Sequence, residues 1–146
     1  MKRINAFLLG ISIAAIVSCD NNEEGGLTPI VEEGGLTPIV PEQTEFTLDS
    51  KAASFTVSTK ESGWFLHEIK ETTIYGSQFI RNETQLIDGV NIPLDTMSGE
   101  WYEVIKSKPK EVTFHIAENT TQETRQLILT ITGIGMSYDD ITITQE

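Results

Sequence analysis

The chain has 146 residues, of which 22 are acidic and 10 are basic, so its formal net charge at pH 7 is −12. Nucleic acids and anionic lipid headgroups repel so acidic a chain, and we therefore expect neither as a partner. The chain has one cysteine, so it cannot form an internal disulfide bond.

The first eighteen residues have the composition of an export signal. Lys2 and Arg3 precede an apolar run from Ile4 to Val17, and small residues lie near its end. This run is shorter than the ~20 apolar residues that a transmembrane helix needs. Residues 1–18 are therefore predicted to be a signal peptide.

The only cysteine follows this segment directly, in the sequence Ile16-Val17-Ser18-Cys19. The tetrapeptide resembles the bacterial lipobox, in which signal peptidase cuts before the cysteine and the thiol carries a diacylglycerol. The resemblance implies that Cys19 is lipidated and begins the mature protein. A free or buried thiol is the alternative. Several acyl chains on one residue anchor a protein to a membrane far more firmly than one chain does.

An acidic run, Asp20-Asn-Asn-Glu-Glu24, comes next. An acidic run directly after a lipidated cysteine resembles the surface-export signal of Bacteroidetes lipoproteins. This implies a lipid-anchored protein of the outer membrane that faces the cell exterior. The alternative is a solvated linker without a targeting role.

Residues 23–31 and 32–40 have the same sequence, EEGGLTPIV. Glycine pairs, prolines and repelling glutamates oppose regular structure, and two short copies are too few for a solenoid. We predict that residues 19–43 form a flexible acidic linker, which the duplication lengthens by at most ~30 Å. The alternative is that LTPIV is a recognition segment used twice, for example as an added β-strand.

From Thr44 onward, short runs of alternating apolar and polar residues are separated by turn residues. Such alternation predicts β-strands with one face towards a shared core. Several such strands in about 100 residues predict an all-β domain at 44–146, an antiparallel β-sandwich. The predicted core residues of these strands are Phe46, Leu48, Phe55, Val57, Val112, Phe114, Ile116, Leu127, Leu129, Ile131, Ile141 and Ile143.

This domain also resembles a known family. The features that match the end of a BACON domain are Asn119-Thr-Thr121, Arg125, the apolar strand from Leu127 to Ile131, and the terminal Ile-Thr-Ile143-Thr-Gln145. Trp64 and Trp101 stand where that family has its two tryptophan strands. The resemblance implies an immunoglobulin-like sandwich on a Bacteroidetes surface lipoprotein, with glycan or mucin as the ligand class.

The sequence departs from the family between the two tryptophans, where residues from about 68 to 99 replace a short connection. Asp88-Gly89, between apolar residues, predicts a two-residue hairpin turn. Pro93 predicts a position near a sheet edge. An insertion of this kind is where a sandwich acquires a function of its own.

Few residues suit catalysis. His67 and His115 lie at positions that predict outward-facing side chains, and the sequence has no nucleophile motif, phosphate-binding loop or zinc-binding spacing. We therefore predict a protein that is not an enzyme and has neither a cofactor nor a metal.

Neighbouring acids offer an alternative. Glu100 with Glu103, or Asp139 with Asp140, has the character of a glycosidase pair, and the second pair could also hold calcium. In a chain with 22 acidic residues, neighbouring acids more often form a solvated face.

A glycan site needs exposed aromatic rings beside polar groups, because the C–H faces of sugars stack on Trp or Tyr. Tyr75, Phe79, Trp101 and Tyr102 are the candidate ligand-binding residues. If Trp101 is instead a core residue like Trp64, alternation turns Tyr102 outwards. We predict a non-catalytic binding module, and the alternative is an accessory subunit that docks on another cell-surface protein.

One tripeptide suggests a modification. Asp95-Thr96-Met97 resembles the Asp-Ser/Thr-apolar acceptor for O-glycosylation in Bacteroidetes, which implies a glycan on Thr96.

Overall fold

The computed structural model describes residues 38–133 and 135–146. The signal segment, Cys19 and the first copy of the repeat lie outside the described residues, so what we expect of them stays a prediction. No helix in the described ranges is long and apolar enough to cross a membrane.

The described residues form eleven β-strands. These are β1 (Glu45–Leu48), β2 (Ala53–Ser58), β3 (Trp64–Thr73), β4 (Gly76–Arg81), β5 (Thr84–Ile87), β6 (Val90–Pro93), β7 (Thr96–Ser98), β8 (Tyr102–Lys108), β9 (Glu111–Ile116), β10 (Arg125–Gly133) and β11 (Tyr138–Gln145). One sheet has the order β1-β11-β10-β3-β4, a second has the order β2-β9-β8-β7, and β5 with β6 forms a separate hairpin. All pairs are antiparallel except β1 with β11, which is parallel. The predicted all-β sandwich is confirmed.

The core contains side chains from both larger sheets, as the alternation of apolar residues predicts. Phe114 on β9 is fully buried and stacks on Phe55 of β2, with ring centroids 5.3 Å apart. Phe55 in turn contacts Phe46 of β1 at 4.8 Å, which links the two sheets. Nine of the twelve predicted core residues are buried, and Phe46, Leu48 and Phe55 pack against them. Trp64 and Trp101 are buried as well, at 0% and 7% exposure.

The segment at 68–99 contributes strands to both sheets. Its first residues continue β3, and β4 pairs with β3 as the edge of the five-stranded sheet, while β7 is the edge of the other sheet. Asp88 and Gly89 connect β5 to β6 with φ values of 50° and 81°, which suit a tight two-residue hairpin turn and confirm that prediction. Asn82 fixes the start of the β5–β6 hairpin by donating hydrogen bonds to the carbonyls of Leu66 (2.8 Å) and Leu94 (2.7 Å).

The packed structure begins before Thr44. Ile39 is 2% exposed and belongs to the core. The backbone N–H of Val40 donates to Asp139 Oδ2 at 3.3 Å, and the N–H of Lys60 donates to the carbonyl of Val40 at 3.1 Å. Residues from Ile39 onward therefore differ from the flexible linker that we expected up to residue 43. These residues contact side chains and backbone groups that are distant in the sequence. Local composition does not predict such contacts.

Candidate ligand-binding cleft

A cleft of about 570 Å³ lies beside the β3–β4 hairpin and the loops that precede β8 and β10. This volume falls in the range of small-molecule sites, roughly 300–1,000 Å³. The strand register places the cleft at the end of the five-stranded sheet where Thr72 faces Gln126, while Gly133 is at the opposite end of β10. Ile39 packs beside Gly133, so the N-terminal entry to the domain and the cleft lie at opposite ends of the sheet.

A buried carboxylate forms part of the cleft wall. Glu71 on β3 is only 7% exposed, and its Oε1 accepts a hydrogen bond of 2.7 Å from Trp101 Nε1. Its Oε2 accepts one of 2.9 Å from Gln78 Nε2, on the residue directly opposite Glu71 in β4. Burying a charge is costly unless it has hydrogen-bond partners. The two donors satisfy this need and hold the carboxylate in one orientation.

A guanidinium group covers the tryptophan ring. The Cζ atom of Arg125 lies 4.3 Å from the centroid of the Trp101 ring, a cation–π contact. Arg125 Nε and Nη2 both donate to Gln145 Oε1, at 2.9 and 2.7 Å, and Nη2 also donates to the carbonyl of Ala117 at 2.7 Å. Burial lowers the pKa of Arg125 from its usual value, and the negative charge of Glu71 partly offsets this effect. Its guanidinium still carries a positive charge at neutral pH, because neutral pH is far below the usual pKa of an arginine.

The predicted aromatic residues take different places. Tyr75, in the turn between β3 and β4, is 92% exposed and lines the cleft. Trp101 also lines it, but Arg125 covers a ring face, so its indole forms a wall rather than an open stacking surface. Phe79 is 64% exposed and packs near Lys70 (5.7 Å), outside the cleft. Its neighbours on β4, Gln78 and Ile80, line the cleft, so alternation directs Phe79 to the other face.

Tyr102 is not the exposed ring that we expected. It is 4% exposed and meets the Trp101 ring edge-on at 5.2 Å. The alternation argument was wrong here because β8 begins at Tyr102, so Trp101 lies in a bend where the period of two does not apply. Gly99 allows this packing, since a Cβ atom at that position would lie 2.6 Å from Tyr102 Cζ.

The wild-type domain is expected to lose stability at alkaline pH because of Tyr102. Replacing Tyr102 with phenylalanine should remove that loss. Burial, and secondly the negative charge of Glu71, raises the pKa of Tyr102 to about 12. In the unfolded chain this pKa is ~10, so folding favours the neutral phenol. This contribution is fully present below about pH 10 and is lost as the pH rises towards 12, by on the order of 2 kcal/mol. Urea unfolding of both proteins at pH 7, 10 and 11 measures the difference.

At pH 7 the phenylalanine variant should be as stable as the wild type within about 1 kcal/mol, because the Tyr102 hydroxyl has no hydrogen-bond partner among the described residues. Tyr75→Phe is the matched control, since that ring is exposed and should leave the alkaline loss unchanged. An equal alkaline loss in Tyr102→Phe and the wild type would contradict the prediction.

The two histidines lie outside the cleft. His115 is exposed, as predicted, and its Nδ1 shares a hydrogen bond of 2.9 Å with Ser54 Oγ. His67 is half-buried, with its ring centroid 5.3 Å from that of Tyr138, so it faces outwards less fully than we expected.

Neighbouring acids at 139 and 140 do not converge on a calcium site. Asp139 accepts a hydrogen bond from the N–H of Val40, and Asp140 Oδ1 accepts one of 2.7 Å from Thr130 Oγ1. Consecutive residues of a strand point to opposite faces of the sheet. Across residues 38–133 and 135–146, no cluster of three or more His, Cys, Asp or Glu side chains could hold a metal ion.

Thr96 is exposed on β7, and its glycosylation stays a prediction.

Several motif residues quoted for the family resemblance have structural roles. Arg125 and Gln145 bond to each other across β10 and β11. Asn119 is 4% exposed and shapes the turn before β10, because its Oδ1 accepts from Thr121 N–H and Oγ1 and its Nδ2 donates to the carbonyl of Glu123. These contacts give the residues a role in the fold, and Arg125 also lines the cleft.

Sequence reasoning named Gln78 as a polar neighbour of Tyr75 but missed Glu71 as a cleft residue. A signal was present in β3, where Ile69 and Glu71 occupy successive inward-facing positions. A glutamate in such a position needs buried partners. Without the fold, nothing in the sequence names Trp101 and Gln78 as those partners.

Comparisons with known proteins agree with this architecture. Residues 94–146, which contain β7 to β11, match the sequence model of the BACON family, described as "Putative binding domain, N-terminal". The NMR structure of a protein from Bacteroides thetaiotaomicron is similar with a TM-score of 0.58 and 18% identity, and the match covers 77% of this chain and 91% of that one. At this identity the likeness shows the fold.

Two further solved structures match at lower TM-scores. A Bacteroides ovatus GH5 xyloglucanase in complex with a XXXG heptasaccharide has 15% identity and a TM-score of 0.44, over 74% of this chain and 18% of that one. The ZIG-8–RIG-5 IG1–IG1 heterodimer has 14% identity and a TM-score of 0.41, over 73% of this chain and 85% of that one. No curated protein matches the sequence.

Proposed function

We propose that this BACON-like, immunoglobulin-like domain is the non-catalytic binding module of a surface lipoprotein and that its cleft binds a glycan. The observation that carries the proposal is the ordered wall of Glu71, Trp101 and Arg125 beside a fully exposed Tyr75. A wall whose polar groups are held before the ligand arrives reduces the entropy lost on binding.

The groups that line the cleft suit a ligand rich in hydroxyl groups. Hydroxyl side chains of the lining can both donate and accept hydrogen bonds, as sugar hydroxyls do. They belong to Thr73, Ser77, Thr121 and Thr124. The exposed ring of Tyr75 offers a flat surface for the C–H face of a sugar. These two features together favour a sugar over a purely apolar ligand.

Charge narrows the ligand class. The carboxylates of Glu71, Glu100 and Glu123 line the cleft, against the single guanidinium of Arg125. A binding site can reject one ligand by placing like charges opposite it, and it can select another by favourable contacts. We infer that the cleft prefers neutral glycans to sialylated or sulfated ones.

The carboxylate arrangement also supports binding without hydrolysis. Both oxygens of Glu71 already accept hydrogen bonds from protein donors. Glycoside hydrolysis needs two carboxyl groups that face each other across the scissile bond. The matching family, described as a binding domain, is compatible with this interpretation.

The test is a glycan array probed with the chain from Asp20 onward, beside Tyr75→Ala and Phe79→Ala variants. Both rings are exposed on the β3–β4 hairpin, but only Tyr75 lines the cleft, so Phe79→Ala is the matched control. Loss of the Tyr75 ring should weaken binding roughly tenfold, and Phe79→Ala should leave it unchanged. Circular dichroism checks that both variants are folded. Glycan binding that both variants weaken equally, or that neither weakens, would place the site elsewhere.

A second candidate function rests on the β5–β6 hairpin, which exposes three apolar side chains. Leu86 is 70% exposed, Val90 60% and Ile87 44%. Grouped apolar exposure of this kind is typical of protein–protein contact sites. A folded protein that binds no glycan on a broad array would favour the accessory subunit, with this hairpin as its docking surface.

A further inference from the structure

The last residues of the duplicated segment take part in the fold. Ile39 and Val40 are the last two residues of the second copy, and Ile30 and Val31 are their counterparts in the first. Ile39 belongs to the core, and Pro41, directly after the repeat, is buried and bridges to Thr59. The repeat therefore supplies a core residue, which a mere spacer would not do.

The site that receives Ile39 recognises features that both copies share. Gly133, at the end of β10, leaves room for the isoleucine, because a Cβ atom there would lie 3.1 Å from Ile39 Cγ1. The flanking hydrogen bonds use the backbone N–H and carbonyl of Val40, with Asp139 and Lys60 as partners. A second Ile-Val pair with the same preceding residues can make the same contacts.

We propose that this site accepts either copy of the repeat, so that Ile30-Val31 of the same chain replaces Ile39-Val40 in a minor state. The occupant is the segment Leu27–Val31, whose sequence is identical to that of Leu36–Val40. The exchange adds nine residues to the loop that leads to β1, and the entropic cost of lengthening a loop grows only slowly with its length.

The residue after each copy decides which one is preferred. Pro41 follows Val40 and is buried, whereas Glu32 follows Val31. Placing a glutamate where a buried proline lies is unfavourable, because its charge loses water. Val40 has a φ of 45°, which is strained for a β-branched residue and weakens the docked state of either copy. The second copy is therefore the main occupant, and the first is its substitute.

The exchange gives the tether two discrete lengths. From Cys19 to the docked isoleucine the chain has 20 residues (39 − 19) with the second copy and 11 (30 − 19) with the first. Fully extended, these segments reach roughly 70 Å and 40 Å. The same domain could then stand at two distances from the surface that holds Cys19.

The test is a mutant cycle on the chain from Asp20 onward, which retains both copies and the whole packed unit. The variants are Ile30→Asp, Ile39→Asp and the double substitution, and the readout is the thermal midpoint, Tm. Ile30→Asp should leave Tm unchanged. Ile39→Asp should lower it by roughly 5 °C, because the first copy takes over, and the double variant should lose roughly 10 °C or more.

The decisive comparison is between Ile39→Asp and the double variant. A lower Tm in the double variant than in Ile39→Asp supports exchange. Equal Tm values, or an Ile39→Asp variant that is unfolded although the first copy is intact, would overturn it. Sedimentation of Ile39→Asp at several concentrations checks the occupant: a monomer supports exchange within one chain, and a concentration-dependent dimer would overturn it.

Discussion

Replacing Gln145 with alanine is expected to lower the free energy of unfolding by about 3–5 kcal/mol. Gln145 is fully buried, and its Oε1 accepts two hydrogen bonds from Arg125. Its Nε2 donates to the carbonyls of Lys51 (2.9 Å) and Ala117 (3.2 Å). Alanine leaves the guanidinium and the Lys51 carbonyl without these partners. Urea denaturation at neutral pH measures the change.

Two further variants test whether the loss of stability comes from the broken Gln145 hydrogen bonds or would follow any similar substitution in these strands. Gln126→Ala is the matched control, because Gln126 is half-buried on β10 and makes one weak side-chain hydrogen bond of 3.4 Å, so its loss should cost less than about 1 kcal/mol. Gln145→Glu keeps an acceptor for Arg125 but loses both donors, and should fall between wild type and Gln145→Ala. If Gln145→Ala is as stable as Gln126→Ala, the Gln145 network does not hold β10 and β11 together as inferred.

Replacing Cys19 with serine is expected to release essentially all of the protein from the membrane fraction of a Bacteroidetes host. The expectation rests on the proposed lipid anchor, because a serine cannot carry the thioether-linked diacylglycerol. Without acyl chains the acidic mature chain has little affinity for an anionic membrane surface. Fractionation followed by immunoblotting measures the distribution.

Asn21→Ser, two residues further on, is the matched control and should stay with the membrane. Protease treatment of intact cells tests the proposed orientation, since a domain on the cell exterior is degraded without lysis. Membrane association of Cys19→Ser equal to that of the wild type would contradict the anchor.

Much of the fold could be predicted because the two faces of a strand are set by local sequence. Leu127, Leu129 and Ile131 alternate over the length of β10, and all three are fully buried. Asp88-Gly89 likewise encodes its own turn, since two adjacent positive φ values need residues that tolerate them. Local rules of this kind do not depend on knowing the neighbouring strands.

The failures occurred where tertiary contacts override local pattern. Ile39 lies in a sequence with linker composition, yet it is buried because Gly133, more than ninety positions away, leaves space for its side chain. Tyr102 is buried because Trp101 precedes β8 and escapes its alternation. The same holds for the cleft residues. Tyr75 could be predicted from its residue type, whereas Glu71 could not be predicted without knowing its partners on β4 and before β8.

The parallel pairing of β1 with β11 has a mechanical consequence. The packed chain passes from Ile39, beside Gly133, into β1, where Glu45 faces Thr142, and the cleft lies near the far end of β1, where Leu48 faces Gln145. Tension between a bound ligand and the proposed N-terminal anchor would therefore run along β1. A load in this direction acts on all the hydrogen bonds between β1 and β11 at the same time. Bonds that must break together resist more force than bonds that open one after another. For the proposed anchored module, this orientation would help the domain to withstand tension on a bound ligand.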